Sequence, residues 1–167
     1  MIDISTVGAK IDITFNDNKR KIITQFSDEG TPFECPDVDV STNAKNLNGQ
    51  MVSSRTVSVY PISITVIPGS EEDMFLQRRL ADAAMQPGNA TSIAELAISS
   101  LIVSVPAINE SGDGSSAINY TFKKGRLKGG PMGPSTSAEG RMSARTYTFE
   151  FEKYDPPIYG GVDVTRT

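Results

Sequence analysis

The chain has 167 residues, 38% apolar and 22% charged, with a net charge of -4, which is one domain's worth of sequence, able to bury roughly 70% of its unfolded surface without disulfide or metal staples. Its lone Cys35 makes no intrachain bridge, and the absence of histidine excludes Ser-His-Asp and Cys-His arrangements and the HExxH zinc site. The pI near 4.9 argues against a protein that grips duplex phosphates with a basic face, and no stretch nears the ~20 apolar residues of a membrane-crossing helix.

The start, Met1-Ile2-Asp3-Ile4-Ser5, lacks the basic and apolar regions of a signal peptide, so synthesis and use in a reducing cytoplasm are expected. Ile11, Ile13 and Phe15 alternate with Asp12 and Thr14, the turn Asn16-Asp17-Asn18 tolerates left-handed backbone, and Ile22, Thr24 and Phe26 resume extension; this predicts a hairpin. Val38 and Val40 predict a third strand. From Ser41 to Ser54 the apolar signal nearly vanishes while Asn43, Asn46, Asn48 and Gly49 supply turn chemistry, so a long protruding loop over 41–54 is expected. Val57, Val59 and Pro61 lead into Ile62, Ile64 and Val66 with the apolar phase slipped by one residue, which predicts a bulge or bend at the proline.

Ser70 opens a helix to about Gln86, with Glu71, Glu72 and Asp73 in its first turn, an apolar series of Met74, Leu76, Leu80 and Ala84, and Pro87-Gly88 as its stop. The acidic triplet is explained locally, by carboxylates complementing the helix dipole. Leu96 to Val105 reads as a strand, although Ser92 and Glu95 have the spacing of a capping box at its start. After a polar turn at 109–116, Ile118, Tyr120 and Phe122 alternate, residues 125–140 form a Gly, Pro and Ser-rich loop, and Tyr147, Phe149 and Phe151 alternate with Thr148, Glu150 and Glu152 in the clearest strand. The sum is a single domain over 1–167 of mainly β class: a barrel or sandwich of antiparallel strands with one flanking helix.

No motif demands chemistry. Asn109 to Gly114 begins like a calcium loop, but Tyr120 stands where a bidentate carboxylate is needed. The glycines of 125–140 are followed by no Gly-Lys-Ser/Thr, so no phosphate cradle forms. The Asn-X-Ser/Thr sequons at Asn89, Asn109 and Asn119 are expected of an Asn- and Ser-rich chain. Glu150 with Glu152, and Asp37 with Asp39, stand about 7 Å apart on a strand face, a spacing open to glycosidase chemistry, yet without tryptophan or a sugar platform they read as solvated faces. No enzyme, catalytic residue, metal or cofactor is expected. The basic cluster Lys123, Lys124, Arg126 and Lys128 lacks interleaved aromatics for base stacking and reads as an intersubunit charge contact.

The order of elements resembles the tail tube proteins of contractile-tailed bacteriophages. The resemblance rests on the first hairpin, the long polar segment, Gly69-Ser70-Glu71-Glu72-Asp73 at the helix start, Gly129-Gly130-Pro131, and Gly140-Arg141 leading to Tyr147-Thr148-Phe149-Glu150-Phe151-Glu152. It implies a virion tail subunit that stacks with itself in hexameric rings, inside a sheath, around a channel carrying a tape-measure protein and then DNA, with no membrane in the assembled state. On that footing Thr148, Glu150, Glu152 and Asp12 are expected to face the channel, where carboxylates would repel phosphate. Asn43, Asn46, Asn48 and Gln50 are expected to touch a neighbouring ring. The alternatives are a baseplate hub or tube-initiator ring and, in another class, a β-sandwich adhesin or carbohydrate-binding module.

Overall fold

The computed structural model describes residues 8–27, 31–56, 58–84, 97–106, 117–136, 139–159 and 162–163. The polar turn at 109–116, the Pro87-Gly88 stop and the Ser92/Glu95 capping box lie outside them. The described strands are β1 (Lys10–Phe15), β2 (Arg20–Ile23), β3 (Phe33–Glu34), β4 (Ser41–Lys45), β5 (Met51–Arg55), β6 (Tyr60–Val66), β7 (Ile98–Pro106), β8 (Ala117–Gly129), β9 (Arg145–Tyr159) and β10 (Val162–Asp163), with one helix, α1 (Glu71–Ala83). One antiparallel sheet runs in the order β2-β1-β7-β8-β9-β6-β3, with β10 on β9, and β4 and β5 form a separate ribbon. Mainly β with one helix is as expected, but among the described residues no barrel closes. The chain just after β2 meets the end of β6, where the Ser27 amide donates to the Thr65 carbonyl (3.1 Å), the Ile67 amide donates to the Gln25 carbonyl (3.4 Å) and Phe26 bridges Val66, before β3 pairs along the same strand.

One face of the sheet is apolar. Ile11, Ile13, Ile23, Ile62, Ile64, Val66, Leu101, Tyr147 and Phe149 are fully buried there, because alternate residues of each strand face one side and register brings them opposite one another: Ile62 opposes Phe149 and Ile64 opposes Tyr147. In β2 the buried residue is Ile23, while Ile22 is 40% exposed; β2 is in register by pairing Ile23 with Ile11. Pro61 causes no bulge, since β6 pairs with β9 without interruption from Tyr60 to Val66. Val38 and Val40 are not in a strand. Residues 125–129 of the expected glycine loop belong to β8. Gly125 is buried in that strand because a Cβ there would lie 2.2 Å from the Phe151 ring, so glycine marks close packing rather than looseness.

The phase slip missing at Pro61 occurs elsewhere. Buried positions stand three apart at Ile98/Leu101 in β7 and at Phe122/Gly125 in β8. β9 slips likewise between Phe151 and Tyr154, both of which pack on Phe122. Lys124, at this row, has a left-handed φ of 55. Three adjacent strands therefore each turn two successive residues outward, and the sheet creases there.

α1 plugs one end of the apolar face. Ser70 caps it by accepting from the Asp73 amide (3.2 Å), and Leu76 and Leu80 enter the core while Met74 is 62% exposed. Asp73 does more than complement the dipole. It is buried, its carboxylate accepting from the Tyr147 hydroxyl (2.6 Å), Arg145 Nε (3.0 Å) and the Gly69 amide (2.9 Å). Arg145, itself buried, also donates to the Pro131 carbonyl (3.2 Å). At the helix's other end Arg79 donates to Asp17 (2.8 Å) and stacks 4.3 Å from the Phe15 ring centroid, where a cation on an aromatic face adds its own attraction.

Phe149→Ala should cost about 3–5 kcal/mol, as for other buried phenylalanines, with the urea midpoint falling and the slope unchanged. Tyr147 supplies a pH test. Burial, then its hydrogen bond to the Asp73 carboxylate, push its pKa up from 10.0 to about 12, with Arg145 opposing. The folded state keeps this proton where the unfolded state loses it, so the contribution is intact below pH 10 and is lost between 10 and about 12. Wild type should lose stability relative to Tyr147→Phe across that window in thermal melts; a constant difference would show that Tyr147 does not titrate differently on folding.

Candidate assembly surfaces

The far face of the sheet is mainly polar, and no other named element among the described residues lies across it. Cross-strand partners share a face, so register assembles it: Asp12 opposes Ile22 and Ile102, Ser104 opposes Asn119, Thr121 opposes Asp155, Arg126 opposes Glu150, and Ser63 opposes Thr148. Asp12, Thr148 and Glu150, expected to face a channel, stand here, with Thr148 and Glu150 half-buried. Glu152 is exposed on the crease beside Lys153. Lys123, Lys124, Arg126 and Lys128 are exposed as well, and register brings Lys123 and Arg126 onto this same face. Two groups assigned separate roles from sequence thus share one surface.

That surface is mixed in charge rather than acidic. Arg20 grips Asp12 with two nitrogens, Nε lying 2.8 Å from Oδ1. Lys123 pairs with Asp155 (2.8 Å) and Lys128 with Glu150 (3.1 Å). Lys123 and Lys128 therefore serve first to balance carboxylates of their own subunit. Sequence reasoning missed Arg20 and Asp155 because only strand register reveals which charges are neighbours. Among the described residues no three His, Cys, Asp or Glu side chains converge to hold a metal, and no helix is long and apolar enough to cross a membrane.

The second surface is the β4–β5 ribbon, where a loop was expected. Every residue of both strands is exposed, so neither face shows the alternation that marks a buried strand. Turn chemistry is confined to 46–49: Asn46 Oδ1 accepts from the amides of Asn48 (3.0 Å) and Gln50 (2.9 Å), and Gly49 takes φ 76, an arrangement Asn and Gly favour. Asn46 is thus a turn former. Asn43 lies on β4 with its amide 3.3 Å from the Ser41 hydroxyl, and Asn48 and Gln50 stand exposed at the tip.

The sequence of residues 2–155 matches the family described as tail fiber protein gp32. The chain belongs to this family. It is a tail-associated structural protein, as the resemblance to phage tails implied. No curated protein matches it. Its fold is similar to that of a chain from the sheath-tube complex of an extracellular contractile injection system (TM-score 0.56, 13% identity, covering 96% of this chain and 93% of that one). It is also similar to that system's sheath/tube terminator (0.55, 12%, 94% and 96%) and to the anti-feeding prophage tube terminating cap (0.52, 14%, 92% and 89%).

Because the Lys128–Glu150 pair is solvated on this tail protein's open face, Glu150→Gln should change unfolding stability by less than about 1 kcal/mol. A larger loss in chemical denaturation would mean that the pair is structural and the face is not a free surface.

Proposed function

We propose that the chain is a ring-forming subunit of a tail tube, stacking with itself inside a sheath around a channel for a tape-measure protein and DNA. The observation that carries this reading is that the subunit leaves pairing surfaces open: among the described residues its sheet ends on β2 and the two-residue β3, and every residue of its ribbon strands is exposed. Open strand edges invite pairing, and a closed ring, hexameric in this proposal, satisfies them by symmetry. The polar sheet face, with Asp12, Thr148, Glu150 and Glu152, then lines the channel. Its balanced charges suit a wall past which phosphates slide without being held, and catalysis has no part in it.

A second reading is a terminating ring, favoured by two of the structural relatives, which are a tube terminator and a tube terminating cap. Negative-stain images of the purified protein separate the two. Open-ended tubes are expected for a tube subunit and single non-stacking rings for a terminator; dispersed monomers or slender fibres would overturn both. Deleting Asn43 to Gln50 should leave a folded subunit that no longer forms tubes, checked by circular dichroism and the same images.

The channel assignment has its own test. Virions carrying Glu150→Lys and Glu152→Lys should assemble yet eject DNA more slowly, with the delay shrinking as salt screens charge over about 10 Å at 0.1 M. Unchanged ejection kinetics at low salt would place this face outside the channel.

A further inference from the structure

Among the described residues, the helix α1 plugs the apolar face of the sheet at one end. At the other, a groove of about 520 Å³ opens between Val103, Val105, Tyr120, Phe122, Tyr154 and Tyr60, and its lining includes no charged side chain. The ribbon springs from the rim of this groove: Cys35, Pro36 and Val38 before β4, and Tyr60 and Pro61 after β5, are part of its wall. The ribbon itself is two-faced. Register puts Thr42, Ala44, Val52 and Ser54 on one side and Asn43, Lys45, Met51, Ser53 and Arg55 on the other. The first side carries no charge and continues to Val40, which is 73% exposed. An isolated two-stranded ribbon is marginal in water, so an uncharged, β-branched face left bare on it is a surface waiting for a cover.

Resting on the tube reading above, we propose that the uncharged side of one copy's ribbon, through Val40, Ala44 and Val52, docks into the apolar groove of a second copy. The ribbon is kept out of its own groove by its base. The Thr56 amide donates to the Val40 carbonyl (3.1 Å) and Ser58 Oγ to the Asp39 carbonyl, so pairing persists to the rim and folding back would break it. A five-residue strand reaches about 17 Å, enough to enter a neighbour. The groove accepts the side without charge, while Lys45 and Arg55 stay in water. Ribbon and groove are different surfaces of one chain, so in the tube reading the contact runs head-to-tail and propagates to a ring or a filament, whereas reciprocal exchange between two copies would stop at a dimer.

Cys35, the single cysteine, stands in the groove wall and serves as a reporter. Val52→Cys and Ser53→Cys, on opposite sides of the ribbon, are each treated with a short bismaleimide at concentrations where wild type sediments as oligomers, and run on denaturing gels. The expected result is a ladder of dimers and higher species from Val52→Cys, at least tenfold stronger than from Ser53→Cys, and abolished by Cys35→Ser. An intrachain link without a ladder would show the ribbon on its own groove and overturn the proposal, as would equal ladders from both variants. Tubes or rings seen by negative stain without any Val52–Cys35 link would overturn the groove assignment and leave the tube reading standing. A protein that stays monomeric at every concentration would overturn both.

Discussion

The molecule depends on a buried charge contact between its helix and its last long strand. Asp73 and Arg145 are each nearly inaccessible, and a buried ion pair is tolerated only when its remaining donors and acceptors are also met. Here they are: Asp73 takes the Tyr147 hydroxyl and the Gly69 amide, and Arg145 reaches the Pro131 carbonyl. The network therefore joins the helix cap, the start of β9 and the segment after β8 at one point. Once α1 is fixed there, Leu76 and Leu80 close that end of the apolar face, and the described residues leave a polar face on the other side of the sheet and an apolar groove at the other end.

The crease through β7, β8 and β9 decides what the bare face presents. Where alternation slips, residues that would point inward are turned out, and Lys123, Lys124, Glu152 and Lys153 crowd one ridge. Charges of both signs then lie within reach of one another, and Lys123 finds Asp155. An acidic chain thus displays a locally balanced surface. Net charge describes the whole sequence and says little about a face whose composition is set by register.

How much of this was legible follows from where burial leaves a mark on sequence. β1 and the start of β9 were readable because Ile11, Ile13, Phe15, Tyr147, Phe149 and Phe151 are buried on one side only, and α1 because Ser70 and the acids after it announce its start. The ribbon was not, since exposed strands carry no alternation, and Ser, Thr and Asn suit a loop equally well. Gly125 misled because the ring that demands glycine there, Phe151, belongs to the next strand and is far away in sequence. Asp73 was hidden by a sufficient local explanation: three acids at a helix N-terminus need no tertiary partner, although one has two. Strand alternation placed Asp12, Thr148 and Glu150 on the side away from the core, and the resemblance to tail tubes alone suggested a channel for them. Their cation partners were invisible until the strands were paired.

The surfaces of this subunit are individually weak. Exposed ion pairs contribute about 0–1 kcal/mol, a lone ribbon is marginal, and strand edges as short as β3 offer few hydrogen bonds. In the proposed ring the same contacts act differently. Closure makes each subunit's last contact intramolecular, so its partner is present at a high effective concentration and small terms reinforce one another. Weak single contacts also let misplaced subunits leave before the ring closes. A tail component that must assemble with one geometry gains from surfaces of this kind, because a sheet with strongly apolar edges would aggregate before it found its register.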